Sequence, residues 1–282
     1  MKYLIVNADD YGLHPSVSAG IRKAHLEGIL TSTTTMMNMP DARPALEMAA
    51  EQCPNLGLGV HLTLTAGIPL LQPEKLPALM RLSDGIRFPR ESVLREQAAS
   101  IPAAEVKAEW RAQIERFIQM AGKKPDHLDS HHNSSYITYP FFEAMLELAA
   151  EYHCAVRLPF WEITQSMPGD YVTLPKDWPA GLSPRKQTKN ARVLFPDDFV
   201  GYFYDEKVTL EILQHSLENL KEGVTELMSH PALADESLKQ ISSYNSQRAV
   251  ELSLLLHPLI LGKIKDNGIN LITFGQMLEL SK

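Results

Sequence analysis

Residues 3–37 read YLIVNADDYGLHPSVSAGIRKAHLEGILTSTTTMM. The apolar run 3–7 reads as a buried strand, Pro15 and Ser16 are start signals for a helix over 16–27, and the β-branched run 32–37 reads as a second strand. Strand, helix and strand in that order make a crossover unit, which joins parallel neighbours. The rhythm continues outward. Helices are expected over 41–52, 105–120, 141–152, 207–221, 246–256 and 275–280, and strands over 56–65, 126–130, 155–158, 224–228 and 269–274. In the 105–120 segment Trp110, Ile114, Phe117 and Ile118 fall at helical spacing. About seven strands alternating with helices predict an α/β fold, a distorted or incomplete (β/α) TIM-like barrel, with an open doubly wound sheet as the alternative. Residues 1–282 read as one domain. Two proline-rich stretches without a period, near 66–102 and 159–198, are loop insertions, and in a barrel these hang at strand ends and wall a cleft.

The 282 residues carry a net charge of −7, with 44% hydrophobic and 22% charged residues, as in an ordinary globular protein. The negative balance and the lack of a basic stripe exclude a nucleic-acid partner. No run approaches the ~18 apolar residues of a membrane span. The N-terminal apolar run stops at Asn7, short of the ~7–15 residues a signal peptide needs, so a cytoplasmic protein is expected. Cys53 and Cys154 lack a redox or metal spacing and read as buried thiols. The run LSLLLHPLIL at 252–261 reads as a buried barrel helix, with a homodimer contact as the alternative.

Chemistry concentrates at four places. Asp9 and Asp10 end the first strand, where a bend lets both carboxylates reach one site. His61 lies in an apolar strand. The segment PDHLDSHH at 125–132 puts His127, Asp129 and His131 on one face if the strand continues, because the side-chain period is two. His230 ends a strand before Pro231. All four lie at the carboxyl ends of expected strands, where catalytic groups of barrels gather. A carboxylate and two imidazoles can hold a divalent ion and leave open positions. Such an ion lowers the pKa of bound water to about 7 and polarises a carbonyl. A second carboxylate can act as base and another histidine as acid. This is equipment for amide hydrolysis.

With these motifs in place, the chain resembles the YdjC-like carbohydrate deacetylase family, which includes chitooligosaccharide deacetylases. The resemblance rests on VNADDYG (6–12), TSTT (31–34), GVHLTLTAG (59–67), KPDHLDSHH (124–132), VRLP (156–159) and ELMSHP (226–231), and covers nearly the whole chain. It implies a distorted (β/α) barrel and a metal-dependent hydrolase that removes the acetyl group from N-acetylated sugars such as chitooligosaccharides. It implies Asp10, His61 and His131 as metal ligands, Asp9 as general base, His230 as general acid and Arg157 as a residue orienting the base or the sugar. Mg²⁺ is the ion usually described for the family. Zn²⁺ is the alternative, since two imidazoles favour a softer ion than Mg²⁺. The substrate partner is a small N-acetylated saccharide. His127, Asp129, His132, Tyr136 and Trp161 are further candidates for substrate contact. The family motif often continues as HHHVH, whereas residues 131–135 read HHNSS, so a different pocket wall is expected around Asn133 and Ser135.

Two other functions compete. A glycosidase needs two acids flanking one sugar bond, about 5–5.5 or 6.5–9.5 Å apart, and adjacent Asp9 and Asp10 suit that poorly. A catalytically inactive sugar-binding protein of the same fold would use loop aromatics such as Tyr136, Phe160, Trp161, Tyr202 and Tyr204. The retained acids and histidines argue for an enzyme.

Overall fold

The computed structural model describes residues 1–160 and 172–280. Its strands are β1 (Lys2–Tyr11), β2 (Ser32–Thr35), β3 (Gly57–Leu62), β4 (His127–Ser130), β5 (Ala155–Val156), β6 (Asp198–Val200), β7 (Gly223–Ser229) and β8 (Ile269–Leu271). Among the described residues these strands pair in parallel, in the order β5-β4-β3-β2-β1-β7-β6, with β8 also on β1. The helices are α1 (Pro15–Glu27), α2 (Ala42–Gln52), α3 (Pro77–Met80), α4 (Glu91–Gln97), α5 (Ala103–Ala121), α6 (Tyr139–Tyr152), α7 (Pro184–Asn190), α8 (Leu210–Glu218), α9 (Ser246–Leu255), α10 (Pro258–Asp266) and α11 (Phe274–Leu280). The sheet curls into an incomplete (β/α) barrel surrounded by helices, as the strand–helix rhythm predicts.

β1 is the axis of the sheet. It pairs with β7 from Lys2 to Ala8, and on its other side first with β8 and then, from Asn7, with β2. A strand covered on both edges and both faces must be apolar along its length, which is why Leu4, Ile5, Val6 and Ala8 are fully buried. The curl stays open between β5 and β6. There the Val156 N–H donates to the carbonyl of Leu194, in the segment leading to β6, at 3.0 Å.

Helix α5 ties down the first insertion. Glu109 accepts from the backbone N–H groups of Leu70 and Leu71, and Glu105 from those of Ala78 and Leu79. Gln113 holds both backbone groups of Thr63 at 2.9 Å. Buried loop amides need acceptors, and α5 supplies them. This side of the mouth is therefore a built wall.

Several boundaries differ from the sequence expectation. β1 runs on through both acids to Tyr11. β6 is an unexpected strand that begins at the last residue of the aperiodic 159–198 stretch, paired to β7 from Asp198 to Val200. The helix expected from 207 begins at Leu210, where the Thr209 side chain accepts from the Ile212 N–H. The 252–261 run is not one helix. α9 ends at Leu255, and His257 caps α10 before Pro258. Leu255 and Ile260 are buried while Leu259 is 54% exposed.

Candidate active site

The two acids come from a flaw in β1. Between Ala8 and Tyr11 the register with β2 shifts, so that three steps along β1 match two along β2, from Thr33 to Thr35. One extra residue is thereby accommodated, as in a β-bulge. Asp10 takes up the shift with φ of +70°, a left-handed conformation that L-residues rarely hold without a compensating role. Strand alternation would send neighbouring carboxylates to opposite faces. The shift instead turns both into one cavity of about 760 Å³ at the carboxyl ends of the strands, shared with His61, His131 and His230.

Asp9 is held by Arg157, which follows β5. Nη1 donates to Oδ2 and Nη2 to Oδ1, each at 2.7 Å, and Asn7 Nδ2 donates to Oδ1 at 3.0 Å. Burial pushes the Asp9 carboxyl up, but the charge and hydrogen bonds of Arg157 outweigh it and hold the group well below the usual carboxylate range. The same guanidinium lies 3.0 Å from Asp129 Oδ2 and donates through Nε to Glu226 at 2.8 Å. All four groups are buried.

Asp10 is arranged differently. Its Oδ2 accepts from Arg248 Nη2 at 2.5 Å, while its Oδ1 is buried with no hydrogen-bond partner among the described residues. That orphan oxygen lies 3.4 Å from His61 Nε2 and 3.8 Å from His131 Nε2. The other nitrogen of each ring is taken: His61 Nδ1 faces Asp129 at 2.7 Å and His131 Nδ1 faces the Thr65 hydroxyl at 2.9 Å. An oxygen and two imidazole nitrogens thus converge, and each ring is oriented from behind, as metal-binding histidines are. Burial lowers the affinity of His61 for a proton, yet the Asp129 and Asp10 carboxylates raise its pKa to about 10, so this point favours positive charge. Asp9, His61 and Asp129 also bring possible ligand atoms within 4.8 Å of one another. In that trio both Asp9 oxygens accept from Arg157 and both Asp129 oxygens are engaged by His61, Thr34 and Arg157, whereas Asp10 pairs with Arg248 through Oδ2 and keeps Oδ1 for an ion. The donor set of Asp10, His61 and His131 fits a divalent ion better.

His230 closes the opposite wall. Its Nε2 lies 3.8 Å from Asp9 Oδ2, its backbone N–H donates to Glu251, and its Nδ1 is buried without a hydrogen-bond partner among the described residues. Burial lowers its pKa to about 4 against the opposing pull of Asp9 and Asp10. Tyr204 and Tyr244 stack at 4.4 Å beside it, each edge-on to the imidazole.

The family model for YdjC-like protein matches residues 3–266. The chain belongs to the YdjC-like family. It is 39% identical over 278 residues to a carbohydrate deacetylase of Thermoanaerobacter pseudethanolicus, covering 98% of this chain and 99% of the relative. It is 31% identical over 279 residues to a chitooligosaccharide deacetylase of Proteus mirabilis, covering 98% of each. Among solved structures it is similar to an Enterococcus faecalis protein described as a candidate for cellobiose-phosphate cleavage, with a TM-score of 0.81, 31% identity and 98% of both chains covered.

Within this YdjC-like chain the remaining expected site residues divide. His132 lines the cavity, with Nδ1 at 3.1 Å from the Thr65 hydroxyl. The strand that would carry His127, Asp129 and His131 on one face stops at Ser130, and His131 opens a 3-10 turn; His127 and Asp129 are both fully buried. His127 sits between Asp126 and Asn7 and stacks on Phe274 at 3.8 Å, so it supports the floor rather than touching a substrate. Tyr136 is 2% exposed and donates its hydroxyl to the Arg157 carbonyl, which makes it a prop behind Arg157 instead of a sugar contact. Phe160 and Tyr202 are buried too, and Trp161 lies outside the described residues. Of the loop aromatics considered, Tyr204 lines the cavity. Asn133, held at φ of +54°, also lines it, whereas Ser135 is buried against Ser130 at 2.7 Å. The different wall is therefore confined to Asn133.

Sequence reasoning missed Arg248, Glu251, Tyr244, Glu226 and Asn7. A signal existed for two of them. Glu226 is a lone acid inside an apolar strand, and Glu251 shares a helical face with Leu252 and Leu255. Charged side chains at core positions are rare unless paired or functional.

Proposed function

We propose that this protein hydrolyses the acetamide of an N-acetylated saccharide, with one divalent ion held by Asp10, His61 and His131. The observation that carries this reading is the buried, unpartnered Asp10 Oδ1 between two imidazole nitrogens, in a cavity that also presents an ionised Asp9 and His230. The activities named for the Thermoanaerobacter and Proteus relatives supply the substrate class. When bound, the ion would polarise the acetyl carbonyl and acidify the attacking water. Asp9, fixed by Arg157, takes the proton of that water as its oxygen bonds to the acetyl carbon. His230, 3.8 Å away, receives the proton through Nε2 and delivers it to the sugar nitrogen as the C–N bond breaks. The products are acetate and the free amine. His132, Asn133 and Tyr204 line the space left for the saccharide.

The ion is Mg²⁺ or Zn²⁺, and imidazole ligands favour the second. A glycosidase is disfavoured because Asp9 and Asp10 stand side by side on one wall and Asp9 is closed by Arg157. The test is acetate release from diacetylchitobiose by chelator-treated protein, before and after each ion is restored. Acetate with an intact disaccharide supports the reading. Cleavage of the glycosidic bond without acetate overturns it.

A further inference from the structure

We infer that Glu251, on α9, is the positioning residue of His230: its carboxylate fixes the imidazole with Nδ1 protonated and Nε2 bare toward Asp9. This rests on the deacetylase reading of the site. Glu251 is fully buried, and among the described residues it makes no ion pair with lysine or arginine. Its two oxygens take the His230 backbone N–H and the Tyr244 hydroxyl. One of them, Oε1, lies 4.0 Å from His230 Nδ1, which is itself buried and has no hydrogen-bond partner among the described residues.

A buried carboxylate without a cation costs several kcal/mol and persists where it has a task. A buried ring nitrogen beside it has one available acceptor. Closing 4.0 Å to hydrogen-bond distance needs only a small rotation of either side chain. The hydrogen bond made by one imidazole nitrogen sets the state of the other. With Nδ1–H toward Glu251, the Nε2 lone pair faces Asp9 and can take the proton that Asp9 receives from water. Once His230 is charged, the carboxylate stabilises it from behind until the proton passes to the leaving nitrogen.

The groups around the ring agree with this division. Asp9 and Asp10 from β1 face it from the cavity side, and Arg157 and Arg248 oppose its charging. Tyr204 and Tyr244 approach edge-on. Burial raises the Glu251 carboxyl to about 7, with Tyr244, the His230 N–H and Arg248 pulling the other way.

Two measurements on the full chain test the assignment. The first is turnover of E251Q, loaded with the ion, on two substrates. Diacetylchitobiose must have its leaving nitrogen protonated, whereas 4-nitrophenyl acetate has a leaving group that needs no proton. Glutamine keeps the shape and a carbonyl acceptor for the His230 N–H, and its NH2 can donate to the Tyr244 oxygen once that hydroxyl turns. We expect kcat on the amide to fall about tenfold or more, KM to stay within about twofold, and ester turnover to change little, in line with the ~10–100-fold effects of such outer partners. The second is the ¹⁵N shift pattern of the His230 imidazole without substrate. We expect Nδ1–H in the wild type and a gain of the Nε2–H form in E251Q. Unchanged amide turnover, equal loss on both substrates, or an unchanged tautomer overturns the assignment. A wild type that releases no acetate overturns the deacetylase reading instead, and the tautomer measurement still judges Glu251.

Discussion

Arg157→Met removes the guanidinium that three buried carboxylates share. In the native protein Asp9 takes two hydrogen bonds of 2.7 Å from it, Glu226 one of 2.8 Å, and Asp129 lies 3.0 Å away. Methionine fills similar space, so the packing loss is small. The electrostatic loss is large, because removing one partner of a buried pair costs about 3–5 kcal/mol. Against a total stability of about 5–15 kcal/mol, that is a substantial fraction. The sign with pH follows from Asp9. Burial raises its pKa and Arg157 more than reverses this, leaving it depressed. Stability from a depressed carboxylate is fully present above its unfolded pKa of 3.8 and is lost as pH falls through the folded value. Without Arg157 the buried carboxylates take up protons near neutrality. The deficit of the variant should therefore be greatest at pH 8 and shrink toward pH 4. Urea denaturation of chelator-treated wild type and variant at several pH values reads this directly. A variant as stable as wild type at pH 8, or a deficit that grows on acidification, would refute the reasoning.

Three other expectations follow from the same geometry. His131→Ala should weaken binding of a divalent ion, followed by calorimetry, by more than the roughly 10–100-fold that loss of an outer partner costs, and should abolish acetate release. Glu226→Gln tests a carboxyl that burial raises to about 7, so the folded protein holds its proton more tightly than the unfolded chain and stability falls as pH rises from 4.5. The variant escapes that loss, and its stability relative to wild type should improve by up to about 3 kcal/mol between pH 4.5 and 8 in denaturation curves. Gly20→Ala acts at a distance: the new Cβ would fall 2.4 Å from Ala232 Cα, in the loop that follows His230. Overpacking of backbone against backbone should cost about 1–3 kcal/mol and lower kcat by displacing His230, and unchanged melting temperature and turnover would contradict it.

Much of the fold was legible because parallel strands buried on both faces must be apolar and their crossovers must be amphipathic helices. That pattern marked seven of the eight strands. β6 escaped because Asp198–Val200 is too short for a period and its identity comes from pairing with β7. The 252–261 run misled for a related reason. Apolar content is similar in α9 and α10, and the break between them is made by the His257 cap and Pro258.

The site divided along the same line. His61, His131, Asp9, Asp10 and His230 sit in short local motifs at strand ends, where residue type and position together suggest chemistry. The period of two relates His127 to Asp129, but the strand that would extend it to His131 ends at Ser130. Which of these reach the cavity was invisible, because depth along the barrel axis depends on how the sheet curls. His127 and Asp129 lie below the floor and His131 at the mouth.

What the amino-acid sequence determined by itself is the set of reactive groups and the strand ends that carry them. Tertiary structure alone decided the partnerships. The register shift against β2 turned two adjacent acids into one cavity. Arg248 and Glu251, more than 200 residues from β1, reached Asp10 and His230 because the barrel brings α9 against the mouth. An arginine and a glutamate on a helix are ordinary in sequence. They acquire a role only when burial removes water and leaves Asp10 and His230 as their partners.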